Sequence, residues 1–432
     1  SVVANINGNF VMNGLGSVFY FINSPASSGT LQLNVANDLS VLRGSLRMVN
    51  SNGLANVSIG RDVLISSTSS IVYGQYNTVS TANVNLSAGR DFTISSGVYY
   101  QTVGLGSITV NVAQSMAMNN GTFYGTNNTA SGNYGTATYT LGSFNYHGGS
   151  FYFHNNNVTD GRNVVVNCLG NFDVRFNSTV NRVVLINQDG VNNAGLLFTV
   201  GGNFITSGSN TTAYFLSSAS SGNEFIGISG NMIIGASNVF IAGTSAPYGN
   251  DHDVTLSIMN NLSVSAGNLY CSTIGGHASV SVNGNVTITG GTVNAKWNTG
   301  KTDFIISGNY VQSGGSFNFH ARNAITADSV QVTLMGNFNQ TGGSISFDAY
   351  QGNENPENYL YLFGSTFTVG GTGVISHANH LTSFTKFGNI WFNRTGTITY
   401  NRASANHEVR QVRMYVSGEC VLDVASSLQP LQ

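Results

Sequence analysis

One phrase recurs along this chain about every 27 residues, and that period constrains the fold more than any other property of the sequence. The phrase contains a Gly-Asn pair, an apolar residue that we name the anchor, and then a Gly-Gly pair before a short alternating stretch. A clear copy is GNFNQTGGSISF at 336–347. Self-similarity of this period is typical of a solenoid. Sixteen anchors align, the first seven clear and the rest degenerate: Phe10, Phe172, Phe204, Met232, Val286, Tyr310, Phe338, Leu39, Val63, Phe92, Met116, Phe144, Leu262, Phe367, Ile390 and Cys420.

Apolar columns around the anchors indicate strands. Pairs such as Val280 and Val282 lie six and four residues before an anchor, and a second apolar column, including Phe317, follows about seven residues after it. A spacing of two is the periodicity of a strand, and helical patterning is absent. We therefore predict an all-β fold, a right-handed parallel β-helix of about 16 coils with about 27 residues per coil. Glycine in the recurring pairs suits the corners between strands.

The repeat runs through the whole sequence without a linker, so we predict a single repeat domain, 1–432. Irregular spacing and a polar, proline-containing stretch predict loop excursions near 173–197 and 348–359. Residues 387–432 form the C-terminal coils of this prediction, and we expect the native chain to continue beyond them.

Charge and hydropathy exclude several partners. Only 7% of residues are charged, against about 25% in an ordinary domain, and the net charge is −2. Phosphate recognition needs clustered Lys and Arg, so nucleic acid is not expected. No apolar run approaches the roughly 20 residues of a membrane span, so membrane insertion is not expected either.

Four stretches carry a resemblance to known families. VTLMGNFNQTGGSISF (332–347) and FGNIWFNRTGTITYNRASANHEVRQVRMYVSGECVLDVAS (387–426) resemble secreted β-solenoid repeat proteins of Bacteroidota that are cargo of the type IX secretion system. GRDVLISS (60–67) and AGRDFTISSG (88–97) resemble filamentous-haemagglutinin-type adhesin repeats more weakly. Both resemblances imply a β-solenoid outside the cell or on its surface, attached to the outer membrane. Neither supplies a catalytic motif.

Few residues suggest chemistry. Asp251 and Asp253 flank His252, which is a weak candidate for a metal or catalytic site; a solvated turn is the simpler interpretation because the coil before offers only Glu224. Alternation predicts that His154 faces outward. The cysteines, Cys168, Cys271 and Cys420, fall on inward columns and are expected to be buried apolar fillers. We assign no catalytic residue and no cofactor.

The more interesting surface feature is aromatic. Tyr100, Tyr124 and Tyr152 follow inward residues in three successive repeats, so they are predicted to form an exposed stripe. Such a stripe could bind surface glycans or a partner protein, or it could be a ladder that stabilises the sheet. Both interpretations stay open on the sequence.

These features favour a non-enzymatic extracellular structural or adhesive protein: a rigid stalk, an adhesin segment or a filament subunit. The alternative is a polysaccharide-binding or polysaccharide-cleaving β-helix. Open strand edges at the end coils predict end-to-end self-association or contact with neighbouring modules.

Overall fold

The computed structural model describes most of the chain. The residues that it describes are 1–432 apart from 25–27, 77, 79, 129–134, 157–161, 177–181, 189–194, 209–211, 217–222, 236–237, 242–252, 272–276, 298–300, 321–328, 348–356, 370, 377–388, 395–397, 403–410, 417–419 and 424–432. The chain divides into two compact units, Ser1–Ile226 and Gly227–Gln432. The single repeat domain stays a prediction, and each unit is described by itself.

The first unit is built from short strands joined by turns. Their bounds are β1 Val2–Ile6, β2 Phe10–Asn23, β3 Leu31–Val35, β4 Leu39–Asn50, β5 Ala55–Ile59, β6 Val63–Ile65, β7 Ser70–Gln75, β8 Val84–Ala88, β9 Phe92–Ile94, β10 Val98–Thr102, β11 Ile108–Met118, β12 Thr122–Asn128, β13 Ala137–Tyr146, β14 Ser150–Asn156, β15 Val164–Cys168, β16 Phe172–Phe176, β17 Arg182–Gln188, β18 Leu196–Val200, β19 Phe204–Gly208, β20 Thr212–Leu216 and β21 Glu224–Ile228, whose last two residues belong to the second unit.

The second unit has the same construction. Its strands are β22 Met232–Ile234, β23 Asn238–Phe240, β24 Val254–Ile258, β25 Leu262–Val264, β26 Asn268–Tyr270, β27 His277–Val282, β28 Val286–Ile288, β29 Thr292–Lys296, β30 Lys301–Ile306, β31 Tyr310–Gln312, β32 Ser316–His320, β33 Ser329–Leu334, β34 Phe338–Gln340, β35 Ser344–Ser346, β36 Glu357–Leu362, β37 Thr366–Val369, β38 Val374–Ser376, β39 Asn389–Arg394, β40 Ile398–Arg402, β41 Gln411–Val416 and β42 Cys420–Asp423. The described residues contain no helix that could cross a membrane.

Strands pair in parallel with the equivalent strand of the next coil. In the first unit β3 pairs with β1 on one side and β5 on the other, and in the second unit β30 lies between β27 and β33 in the same way. The predicted class, an all-β parallel solenoid, is confirmed. The number of coils differs: about ten turns repeat at a spacing of about 28 residues, whereas the sequence analysis counted sixteen anchors, many of them degenerate.

Most anchors form continuous columns. In the first unit Phe10 pairs with Leu39, and the column continues in register to Phe204; in the second unit it runs from Met232 to Phe367. The last two predicted anchors were wrong. Ile390 pairs with Leu360 and Cys420 with Ile398, and the column passes instead through Tyr400 and Leu422. The Gly-Asn pair before Ile390 resembles the recurring phrase, but the pairing of Tyr359–Leu362 in β36 with Asn389–Phe392 in β39 fixes a different register.

The predicted excursions coincide in part with strands. Within 173–197, β16 and β17 pair with neighbouring coils, while 177–181 and 189–194 lie outside the described residues. Of the second excursion, 348–356 lies outside the described residues, and β36 begins at Glu357.

Inward side chains stack from coil to coil. Phe123 lies between Tyr99 and Phe151, with ring centroids 5.4 and 4.3 Å away and planes within 11° of parallel. All three rings are at most 1% exposed. Burying an aromatic side chain contributes about 1.5–3 kcal/mol relative to leaving it exposed, so these stacks are a large part of what holds neighbouring coils together.

The corners carry a second set of contacts between coils. In the second unit the Oδ1 of Asn261 accepts a hydrogen bond from the backbone N–H of Asn285 at 2.8 Å, and the side chain of Asn285 does the same for Asn309 at 2.7 Å. In the first unit Asp62 occupies the equivalent place and accepts from the backbone of Asp91. The guanidinium of Arg90 donates to Asp62 and, as the main cause, lowers the pKa of that carboxyl. Each corner side chain therefore satisfies a backbone donor of the next coil.

Candidate functional site

The structure brings the three predicted tyrosines together and adds a fourth. Tyr73, Tyr100, Tyr124 and Tyr152 occupy one register position on β7, β10, β12 and β14. Their ring centroids are successively 4.7, 5.0 and 5.2 Å apart, and neighbouring planes lie within 10° of parallel. We name these four side chains the tyrosine ladder. Tyr73 was missed because Ile71 and Val72 before it are both apolar, so the sequence does not show which of them faces inward; in the structure Val72 is the buried one.

Strand alternation positions the ladder. Tyr99, Phe123 and Phe151 point into the core, so the residues that follow them must face outward. The four tyrosines are partly exposed, and each ring stacks on the ring of the tyrosine in the next coil of the ladder.

A cation stands at one end of the ladder. Arg47 pairs with Tyr73 on one side and Tyr20 on the other, so it takes the place that a tyrosine holds in later coils. Its guanidinium lies 5.5 Å from the ring centroid of Tyr73 and 4.0 Å from that of Tyr76, and it donates a 2.5 Å hydrogen bond to the hydroxyl of Tyr20. Cation–π contacts of this kind contribute about 0.5–1 kcal/mol at exposed sites.

The packing of the rings limits what the ladder can bind. The two faces of Tyr100 and Tyr124 are covered by neighbouring rings, so a sugar ring has no free face there on which to stack. What remains accessible is a row of ring edges with hydroxyls that can donate and accept hydrogen bonds. Burial raises the pKa of Tyr73 and Tyr124, and raises that of Tyr100 to about 12.

The comparisons with known proteins add no assignment. No family model, curated protein or solved structure matches the chain.

The weak acidic candidate is only partly visible. Asp253 is exposed immediately before β24, while Asp251 and His252 lie outside the described residues. Within the part of the chain that the structure describes, no group of three or more metal-ligating side chains occurs.

One histidine prediction was wrong. His154 is 1% exposed, not outward, and its Nδ1 shares a hydrogen bond with the hydroxyl of Thr126 in the preceding coil. Phe153 and His154 are successive residues of the strand and both are buried, so simple alternation fails.

A pair that the sequence analysis did not single out lies in the second unit. His277 and Asp303 are both about half exposed, and their Nε2 and Oδ2 are 2.7 Å apart. Lys301 occupies the register position of His277 in the next coil and is exposed. The signal was present: aligning Val280 with Phe304 places these three residues on one outward face.

The described cysteines behave as predicted fillers. Cys168 and Cys271 are free thiols that are 2% and 0% exposed. Burial raises the pKa of each thiol to about 12, which suppresses the reactive thiolate. The side chain of Cys420 lies outside the described residues.

We expect the ladder to make stability sensitive to alkaline pH. Because burial and the neighbouring tyrosines raise the folded-state pKa of Tyr100 from 10 to about 12, the folded chain holds this proton more tightly than the unfolded chain. The stabilisation is complete below pH 10 and is lost as pH rises from 10 to 12. After a discount for partial exposure, Tyr100→Phe should remove about 1–2 kcal/mol of that loss.

Urea unfolding at a series of pH values, followed by circular dichroism, measures this difference. Thr122→Val, on the same outward face but without a titratable group, should keep the wild-type dependence. Equal alkaline losses in wild type and Tyr100→Phe would contradict the assignment.

Proposed function

We propose that this chain is a non-enzymatic structural or adhesive protein of the cell exterior, serving as a rigid stalk, an adhesin segment or a filament subunit. The observation that carries the proposal is that outward side chains, and not only core residues, bond to the same position of the next coil. The tyrosine ladder does so through its rings, and Asn56 and Asn85 do so through a 2.8 Å amide hydrogen bond. Because these outward side chains contact their counterparts in the next coil, the surface as well as the core resists separation of the coils.

The proposed location outside the cell, on a surface attached to the outer membrane, rests on the resemblances given above and on this construction. Solubility there depends on Asn, Ser and Thr and not on charge, which makes up 7% of the chain.

Pulling on single molecules tests the mechanical part of the proposal. A coil of 24 residues, as between His277 and Lys301, should release roughly 80 Å of extended chain when it detaches. We expect extension in steps of about one coil at forces well above those that unfold helical repeat arrays. Smooth extension at low force would contradict a load-bearing role.

The His277–Asp303 pair favours a second candidate, a polysaccharide-cleaving β-helix. An imidazole oriented by a carboxylate, with Lys301 on the same face, is a combination suited to general acid–base chemistry. Incubation with polyuronides and neutral glycans, with and without calcium, separates the two candidates. Turnover that His277→Ala abolishes and that His147→Ala preserves would replace the structural proposal with the enzymatic one.

A further inference from the structure

The tyrosine ladder belongs to an outward face with a second row of residues beside it. Two residues before each tyrosine, and therefore on the same side of the sheet, stand Ile71, Val98, Thr122 and Ser150. We name these eight residues the tyrosine face. None of them is charged and all are partly exposed, so the face is an uncharged surface extending over four coils.

The spacing of the face discriminates between ligands. Its rungs repeat every 4.7–5.2 Å, which is the distance between paired β-strands. A single extended peptide repeats about every 3.3 Å per residue and a polyproline helix about every 3.1 Å, so neither stays in register over four rungs. A second stack of parallel strands has the same spacing as the face, so one of its strands can lie opposite every rung.

Chemistry points the same way as spacing. Stacked aromatic and small polar side chains interdigitate in dry interfaces between paired sheets. The eight residues of the tyrosine face add no like-charge repulsion when the face meets its own copy; the cations next to it in register are Arg47, before Tyr73, and Arg182, after Ser150. The covered ring faces leave ring edges and hydroxyls outward, which suits packing against an identical row and not insertion of a flat ligand.

We propose that two copies of this chain pack side by side, tyrosine face against tyrosine face, in a two-fold symmetric pair. Such an interface is isologous, which means that both copies use the same rungs of the tyrosine face for the contact. This lateral contact is distinct from the end-to-end association predicted from the strand edges. It holds for a stalk and for an enzyme alike, so its failure and the failure of the proposed function are separable.

Sedimentation equilibrium of the full chain tests the pairing. Wild type should show a reversible dimer. The double variant Tyr100→Lys, Tyr124→Lys places like charges on adjoining rungs and should weaken dimerisation at least about 100-fold. The matched control is Ser87→Lys, Asn111→Lys, which puts two lysines at exposed, paired positions of the same two coils but on another strand, and it should dimerise like wild type.

Circular dichroism and thermal melting establish that the variants fold. If the double lysine variant does not fold, Thr122→Arg serves instead, because it adds a bulky cation beside the ladder without removing a ring; it should also weaken the dimer.

Three outcomes would overturn the proposal. Wild type could remain monomeric at every concentration. Association could persist unchanged in the tyrosine variants, as end-to-end stacking would. Alternatively, a β-1,4-linked glucose hexasaccharide could retard monomeric wild type, but not the tyrosine variants, in affinity electrophoresis; the face would then be a glycan site.

Discussion

Phe123→Ala should lower the free energy of unfolding of the first unit by about 3–5 kcal/mol. Phe123 is fully buried and its ring is sandwiched between Tyr99 and Phe151. It also meets Phe92 and Tyr139 edge to face, at centroid distances of 6.2 and 6.5 Å. Truncation removes contacts on both faces and leaves a cavity that neighbouring coils cannot close, because each coil is held by its own backbone ladder.

The column offers its own control. Phe19 occupies the same inward position in the coil of β2, since the register runs from Phe19 through Leu46, Val72 and Tyr99 to Phe123. It is 42% exposed, so Phe19→Ala should cost clearly less than Phe123→Ala. Urea unfolding monitored by circular dichroism gives both values. A cost below about 1.5 kcal/mol for Phe123→Ala would show that the aromatic stack does not hold these coils together.

Gly315→Ala should cost about 2–4 kcal/mol in the second unit. Gly315 is the second glycine of the Gly-Gly pair at a corner, and its φ is +64°. A Cβ there would lie 2.4 Å from the carbonyl oxygen of Gly291, the equivalent glycine of the preceding coil. The substitution therefore combines a strained backbone conformation with a clash against backbone, which cannot rotate away.

Gly8→Ala is the comparison. A Cβ at Gly8 meets nothing within 4 Å and its φ is not in the left-handed region, so the change should stay within about 0.5 kcal/mol. Hydrogen exchange of the amides in β31 and β32 locates the effect of Gly315→Ala. If those amides keep their protection in Gly315→Ala, the close stacking of Gly315 on Gly291 does not constrain the corner, and the prediction is wrong.

The fold class could be predicted from the sequence because each coil of a solenoid buries the same positions as the coil before it, so the apolar pattern recurs with a fixed period. Anchors such as Val286, Tyr310 and Phe338 sit in one column, and each was visible as an apolar residue after Gly-Asn. Prediction failed where a local likeness competed with long-range pairing. Ile390 follows a genuine Gly-Asn pair, yet four residues of its strand, Asn389 to Phe392, pair with β36 in another register.

The candidate site was predictable only where alternation is strict. Strand alternation located Tyr100, Tyr124 and Tyr152 because each follows an inward aromatic residue. Alternation placed His154 wrongly because two successive side chains, Phe153 and His154, are both buried. At the corresponding positions of neighbouring coils, Thr102 donates a hydrogen bond to Gln75, and Thr126 shares one with His154. These buried polar side chains form a column that alternation along a single strand cannot reveal.

Arg47 shows a different limit. Its column holds tyrosines in the next four coils, and only the three-dimensional register shows that a guanidinium replaces a ring there. The His277–Asp303 pair, in contrast, was accessible to sequence reasoning, since both residues are fixed by columns that had already been aligned.

The corner asparagines have a consequence for how such a chain can change in length. The side chain of Asn261 caps the backbone of Asn285, and that of Asn285 caps Asn309, with identical chemistry and a 24-residue step each time. Removing one such step leaves Asn261 facing Asn309, a partner of the same kind. Whole coils are thus interchangeable parts, and evolution can lengthen or shorten the molecule by duplicating or deleting them, whereas smaller insertions must be confined to the turns.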